Sequence, residues 1–201
     1  MAEAELRLGA IVLAAGAGSR FGGHKLAAEL DGLPLLQHVL DLLSRVALEV
    51  VVVVTAPDAR ELHPVRWRSE RRAVNPDPDR GLSSSLQVGL AACVPDDLDG
   101  VFILLGDQPR TSAATLAALS MAARDAPVDT LAVLPDYAEG GGANPVLLLQ
   151  SGFALAAGLR DDRGLGALLA ARPDVVRSVP VSGSNPDVDT LADLQALRGD
   201  G

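Results

Sequence analysis

The sequence predicts an α/β fold of three layers, a doubly wound and mainly parallel sheet between helices. Two observations carry this. Strand-like and helical runs alternate along all 201 residues. The strand-like runs, above all EVVVVVT at 49–55 and VFILL at 101–105, hold four or five consecutive apolar residues instead of alternating apolar with polar ones. Unbroken apolar runs mark strands buried on both faces, as in parallel sheets covered by helices. The length fits one domain, residues 1–201, with a substantial core.

Each element follows from its pattern. LGAIVL (8–13) is the first strand. PLLQHVLDLLSRV (34–46) is a helix with Leu35, Leu36, Val39, Leu42, Leu43 and Val46 on one side and Pro34 suited to its first turn. After the strand at 49–55 comes RAVN (72–75), then SSSLQVGLAAC (83–93), a helix opening on serine caps. VFILL precedes a helix over SAATLAALSMAARD (112–125) and strands at TLAVL (130–134) and NPVLLL (144–149). A helix at GLGALLAA (164–171), a strand at VVRSVP (175–180) and a helix at TLADLQAL (190–197) complete the chain, with no repeat or linker between them. In such sheets ligands bind beyond the carboxyl ends of the strands, so the residues just after each strand are the candidates for chemistry.

Composition narrows the partners. Aromatics are 2% of a chain that is 48% hydrophobic. The core must come from Leu, Val and Ala, with little to stack on nucleic-acid bases. A net charge of −9 also argues against nucleic acid. An anionic ligand would need a locally basic, metal-assisted pocket. The single cysteine, Cys93, excludes an internal disulfide and fits a reducing cytoplasm. It lies in an amphipathic helix without an activating base and reads as a buried structural thiol. LGAIVLAAGAG imitates a secretory leader, but Glu3 and Glu5 set against Arg7 deny it a basic start, and no run is long enough for a membrane span. A monomer or weak homo-oligomer is expected.

The first loop, AAGAGSRFGGHK (14–25), joins strand to helix. Of seventeen Lys and Arg residues only Lys25 is lysine. An ammonium and a guanidinium are different phosphate ligands, so this one point calls for a chemical reason, unless it is chance in an arginine-rich chain. Gly16, Gly18 and Gly22 are one residue too widely spaced for the dinucleotide fingerprint. Gly18 and Gly23 have P-loop separation, but His24 precedes the lysine and Leu26 is not a hydroxyl residue. What remains is a backbone of small residues, Ala14, Ala15, Gly16, Ala17 and Gly18, that can approach a base or phosphate closely. Arg20 can fork onto phosphate oxygens and Lys25 can place a point charge. A tight turn with solvated charges is the plainer alternative.

Three later segments follow strands. In NPDPDRGLSSSLQVGL (75–90), Gly81 precedes Ser83, Ser84 and Ser85. A helix start of this kind caps itself with one serine and could offer N–H and hydroxyl groups to an anion or base edge. In FILLGDQPR (102–110), Asp107 leaves a buried strand, where a carboxylate can hold Mg²⁺ together with substrate phosphates or simply serve the turn. In NPDVDTLADL (185–194), Asp187 and Asp189 share a face if extended, while Asp189 or Thr190 can cap the last helix with Asp193 completing a box.

Taken in order, LAAGAGSRFGGHKL, GLSSSLQVGL, LGDQP and DVDTLADL resemble the signature blocks of the MobA-like nucleotidyltransferases, with Phe21 for the usual Met and His24 where proline is common. The serine block is closest to the family's molybdenum cofactor cytidylyltransferases. The resemblance implies a Rossmann-like nucleotidyltransferase fold, akin to GT-A. It implies transfer of CMP from CTP to the phosphate of molybdopterin, with pyrophosphate released and Mg²⁺ (or Mn²⁺) as cofactor. By resemblance, nucleotide binding falls to Leu13, Ala14, Ala15, Gly16, Ala17, Gly18, Ser19, Arg20, Lys25, Gly81, Ser83, Ser84 and Ser85. Arg20, Lys25 and Asp107 are catalytic, and Asp107 and Asp189 are metal ligands with Asp187 in support. Gln108, Gly142 and Asn144 face the acceptor, with GGGANPV (140–146) standing where the family often has R-G-H-P. A molybdoenzyme or its chaperone would be the protein partner. Other readings are a guanylyl donor, a different phosphorylated acceptor, a GT-A-like glycosyltransferase using Asp187-Val188-Asp189, or a module that binds nucleotide without releasing pyrophosphate.

Overall fold

The computed structural model describes residues 5–93, 96–140, 142–159 and 165–199. Glu3, Gly141 and Gly164, which figure in the sequence reading, lie outside the described residues. The strands are β1 (Leu8–Ala14), β2 (Glu29–Leu30), β3 (Leu33–Pro34), β4 (Val50–Thr55), β5 (Arg71–Val74), β6 (Gly100–Leu105), β7 (Ala132–Tyr137), β8 (Val146–Leu149) and β9 (Val176–Val181). The helices are α1 (Leu35–Leu43), α2 (Leu82–Cys93), α3 (Ala113–Arg124), α4 (Gln150–Ala157), α5 (Leu165–Ala170) and α6 (Leu191–Gly199).

Seven strands form one sheet in the order β5-β4-β1-β6-β8-β7-β9. All neighbours are parallel except around β8, which runs against both β6 and β7. The exception has a local cause: only the short segment 138–145 joins β7 to β8, too short for the crossover that a parallel pair requires. The predicted doubly wound, mainly parallel α/β architecture is the one observed.

Strand β1 shows why the sheet is covered twice. Its register sets Val12 beside Val53 and Leu104. Ala10, Val12 and Ala14 pack with Leu36, Val39 and Leu40 of α1 and Leu116 and Leu119 of α3. Ile11 and Leu13 point the other way, to Leu86 and Leu90 of α2 and to Leu165 and Leu169 of α5. Alternate side chains thus feed two separate cores, and an unbroken apolar run is what that demands. Gly89 lets α2 lie directly on β1, since a Cβ there would come within 2.5 Å of Ile11 Cγ2.

Two elements were not expected. Helix α4 follows β8 without a loop and without a cap from the side chain of Leu149, so its start carries no sequence signal. The β2–β3 ribbon is two residues per strand, too short for a periodic pattern. It matters all the same, because Leu30 joins Leu35, Val188, Leu194 and Leu197 in a third apolar cluster that anchors α6. Helix α1 is shorter than the predicted 34–46: Pro34 ends β3, and Arg45 and Val46 fall into a turn bonded to Leu42 and Leu43.

Candidate active site

The loop after β1 folds on the carbonyl of Gly18, which accepts from Phe21 N at 3.0 Å and Gly23 N at 3.2 Å. Gly18 has φ 59°, a left-handed conformation that glycine takes without strain. A Cβ on it would lie 3.1 Å from Lys25 Cβ. The loop therefore delivers Lys25, at the head of a 3₁₀ turn, back against the start of its own path. Leu13, Ala14, Ala15, Gly16, Gly18, Lys25, Gly81, Ser85 and Asp107 together line a cavity of about 220 Å³. A second cavity of about 290 Å³ adjoins it, with Ala15, Gly16, Ala17, His24 and Lys25 in its wall. Ser19 is exposed and belongs to neither lining.

Lys25 Nζ donates to Asp107 Oδ2 in a short contact and to Asp189 Oδ1 at 3.1 Å. The lysine side chain is only 13% exposed, and Asp107 is 18% exposed. Burial works against the ammonium. The hydrogen bond and charge of Asp107, then those of Asp189, outweigh it, and the Lys25 pKa lies above its ordinary value. Arg20, 75% exposed, reaches the other oxygen of Asp189 at 3.0 Å from the solvent side. Both cations assigned to phosphate by resemblance thus rest on acidic side chains.

The acidic residues come together through backbone and amide bonds. Asp107 O accepts from Val188 N at 3.1 Å, which ties the end of β6 to the segment after β9. Thr190 and Asp193 cap α6 reciprocally: the Asp193 carboxylate accepts from Thr190 N at 2.7 Å, and Thr190 Oγ1 accepts from Asp193 N at 3.2 Å. That box leaves the Asp189 carboxylate to Lys25 and Arg20. Gln108 Nε2 donates to Asp187 Oδ1 at 2.8 Å. Desolvation raises the Asp187 carboxyl above its ordinary range, the Asp107 charge adds to this, and the Gln108 bond opposes it, although the residue as a whole is exposed.

Among the described residues no three His, Cys, Asp or Glu converge as a metal cage. Two carboxylates do converge, and Asp107 Oδ1 is buried with no hydrogen-bond partner. That donor set fits a hard divalent cation of the Mg²⁺ kind, which takes one or two carboxylates and completes its shell with phosphates and water.

The three serines separate in role. Ser84 is structural: its hydroxyl donates to Gly81 O at 2.8 Å and accepts from Asn75 Nδ2 at 2.8 Å. The same Asn75 amide donates to Ser85 at 3.0 Å. Ser85 lines the 220 Å³ cavity, whereas Ser83 lines a larger one of about 570 Å³ on the α2–α5 face. Asn144 borders that larger cavity, while Gly142 is exposed and outside its lining. Gln108, expected to face the acceptor, is instead 1% exposed and bonded inward to Asp187 and Asn185. Its place beneath the surface makes it a positioning residue for Asp187.

Two residues that the sequence reading passed over hold the site together. Asn75 fixes the serine helix start. Asn185, fully buried, accepts from Thr111 Oγ1 at 3.2 Å and donates to Asn144 O at 3.2 Å. A signal existed: Asn-Pro occurs at 75–76, 144–145 and 185–186, and all three stand at the ligand-facing edge of the sheet.

Comparisons with known proteins agree with the fold. The chain aligns with the Rv0371c homologue from Mycobacterium sp. strain JC1 at 29% identity and a TM-score of 0.84, over 97% of this chain and 98% of that one. It aligns with the manganese complex of Rv0371c from Mycobacterium tuberculosis at 25% identity and a TM-score of 0.81, over 97% of this chain and 100% of that one. The bifunctional protein GlmU of Paracidovorax citrulli is 36% identical over 138 residues, which are 65% of this chain and 29% of that protein. The chain thus matches less than a third of the length of the curated relatives. The profile of the MobA-like NTP transferase domain matches residues 10–176, and the chain belongs to that family.

Proposed function

We propose that the chain is a nucleotidyltransferase that moves CMP from CTP to the phosphate of a molybdopterin-type acceptor and releases pyrophosphate. One observation carries the transferase reading: a small-residue backbone loop, one lysine and the Asp107 carboxylate line a single 220 Å³ cavity at the carboxyl edge of the sheet, and the same lysine joins Asp107 to a second carboxylate, Asp189. An acceptor phosphate oxygen attacks the α-phosphorus of the nucleotide. The bond from that phosphorus to the bridging oxygen breaks, and its electron pair leaves with pyrophosphate. No protein nucleophile is needed, and positioning with charge neutralisation supplies the rate.

The residues divide this work. The Ala14–Gly18 backbone faces the nucleotide. Arg20 and Lys25 neutralise the triphosphate. Asp107 and Asp189 hold Mg²⁺ or Mn²⁺; use of a divalent cation is supported by the manganese complex of the 25% identical Rv0371c protein. When bound, that cation supplies positive charge to the phosphates of the leaving group. Gly81 and Ser85 frame the base, with Ser84 and Asn75 fixing their helix start. We read residues 1–201 as one domain working in a reducing cytoplasm, with a molybdoenzyme or its chaperone taking the product.

A second reading, transfer to a different phosphorylated acceptor, is favoured by the 570 Å³ cavity. Leu13, Leu86, Ile103, Leu134, Val146 and Leu169 dominate its described wall, with Ser83, Asn144 and Ser178 as the polar members. Pyrophosphate release with each of four NTPs against several phosphate acceptors tests both readings. CTP is expected to exceed GTP by at least about tenfold in kcat/KM, a modest ratio for a hydrogen-bonding pocket. A preference for GTP refutes the cytidylyl donor, and turnover with another acceptor refutes molybdopterin.

A further inference from the structure

We propose that the Lys25 ammonium holds the cation position between Asp107 and Asp189, so that a divalent metal enters only as the lysine leaves. This rests on the reading of those two carboxylates as the metal-holding pair.

The geometry points to it directly. One nitrogen touches an oxygen of each carboxylate, although the three residues lie 82 and 164 positions apart in sequence. The point where the two oxygens converge is the point any cation needs. Arg20 is no substitute, because it meets only Asp189 and does so from solvent. Among the described ion pairs, Asp107 has Lys25 alone.

The lysine is also built to move. Its backbone is fixed, since Lys25 O accepts from Ala28 N at 3.1 Å and Gly18 backs its Cβ. Its stem lies in the wall shared by the 220 Å³ and 290 Å³ cavities, so rotation about the stem carries the ammonium from the carboxylates toward either space. A flexible point charge can make that exchange. A planar guanidinium, forked onto one carboxylate, would hold it and yield poorly. The single lysine of the chain therefore has two successive partners: the carboxylates first, and the phosphates once a nucleotide brings the metal in. Metal and lysine then compete for the same oxygens, and competition of this kind lowers the affinity for metal alone.

The test is Mn²⁺ alone, titrated into the full chain without nucleotide and followed by calorimetry or by the electron paramagnetic resonance of free Mn²⁺. Lys25→Met is expected to bind Mn²⁺ at least about tenfold tighter than the unmodified chain, the scale expected when a competing charge leaves a part-buried site. Adding Asp107→Asn to that variant is expected to abolish the gain. In parallel, Mn²⁺ should raise the melting temperature of Lys25→Met more than that of the unmodified chain. Equal or weaker Mn²⁺ binding by folded Lys25→Met overturns the proposal, as does a gain that survives Asp107→Asn. Lys25→Gln, judged by the same criterion, replaces Lys25→Met if the latter does not fold. No turnover enters the measurement. If the Mn²⁺ gain is seen while no NTP yields pyrophosphate, the competition stands and the transferase reading falls.

Discussion

Gly18→Ala separates two things the first loop does, which are to take a left-handed turn and to place a lysine. Gly18 sits at φ 59° and ψ 30°. An L-residue there costs roughly 1–2 kcal/mol in backbone strain. For a chain of this size that corresponds to a fall in Tm of roughly 2–8 °C. The new Cβ would also stand 3.1 Å from Lys25 Cβ, closer than two carbons ordinarily pack. Lys25 must then give way by a few tenths of an ångström. Displacing a positioned group by about 1 Å costs about a hundredfold, so a shift of this size costs roughly fivefold to tenfold in turnover. Gly22→Ala is the control. Gly22 is also left-handed, at φ 91°, but a Cβ on it meets nothing within 4 Å. It should lose comparable stability and keep nearly all of its turnover. The assays are a thermal melt and pyrophosphate release at saturating CTP and metal, both variants measured below their melting range. Equal loss of activity in the two variants, or undiminished turnover in Gly18→Ala, would refute the claim that this glycine exists to admit the lysine.

Three further outcomes are expected. Asp107→Asn preserves shape and the backbone bond to Val188 but takes away the charge that Lys25 pairs with, so stability should fall by about 1–3 kcal/mol while turnover falls by about a hundredfold or more; near-normal turnover removes Asp107 from the metal site. Asn185→Ala removes two buried hydrogen bonds, from the Thr111 hydroxyl and to the Asn144 carbonyl, although Gln108 O and Tyr137 OH still partner those groups, and at roughly 0.5–1.5 kcal/mol per bond it should cost about 1–3 kcal/mol in chemical denaturation; a change below about 0.5 kcal/mol, the range of ordinary surface substitutions, argues against its role as a hub. Burial, with Asp96 adding to it and Arg71 opposing, pushes the Cys93 thiol up to about 11. At pH 8 the thiolate fraction is then very small, so alkylation should be slow in the folded protein and fast in denaturant, and equal rates would show the thiol to be accessible.

The sequence alone determined the layers, the succession of the main strands along the chain and the edge on which the ligand must lie. Each is a local matter: unbroken apolar runs such as EVVVVVT and VFILL can be buried only in a sheet covered on both faces, and the breaks between them fix the loops. The four motif blocks likewise picked out the loop after β1, the serine helix start, Asp107 and Asp189 from residue types alone. Only the tertiary structure decided how those pieces meet. Nothing local shows that Lys25 lands between Asp107 and Asp189, because the meeting depends on β6 pairing with β1 and on Val188 bonding to Asp107. Nor could a local pattern tell which of three adjacent serines faces the cavity. Asn75, which follows the separate strand β5, donates to both Ser84 and Ser85, but the Ser84 hydroxyl turns to the Gly81 and Asp77 carbonyls while Ser85 lines the cavity. Gln108 shows the same limit from the other side. A polar residue next to a candidate ligand reads as part of the site, yet packing turned it inward onto Asp187. A side chain's direction at a strand end is a property of what packs around it, and its neighbours here come from segments up to 79 residues away.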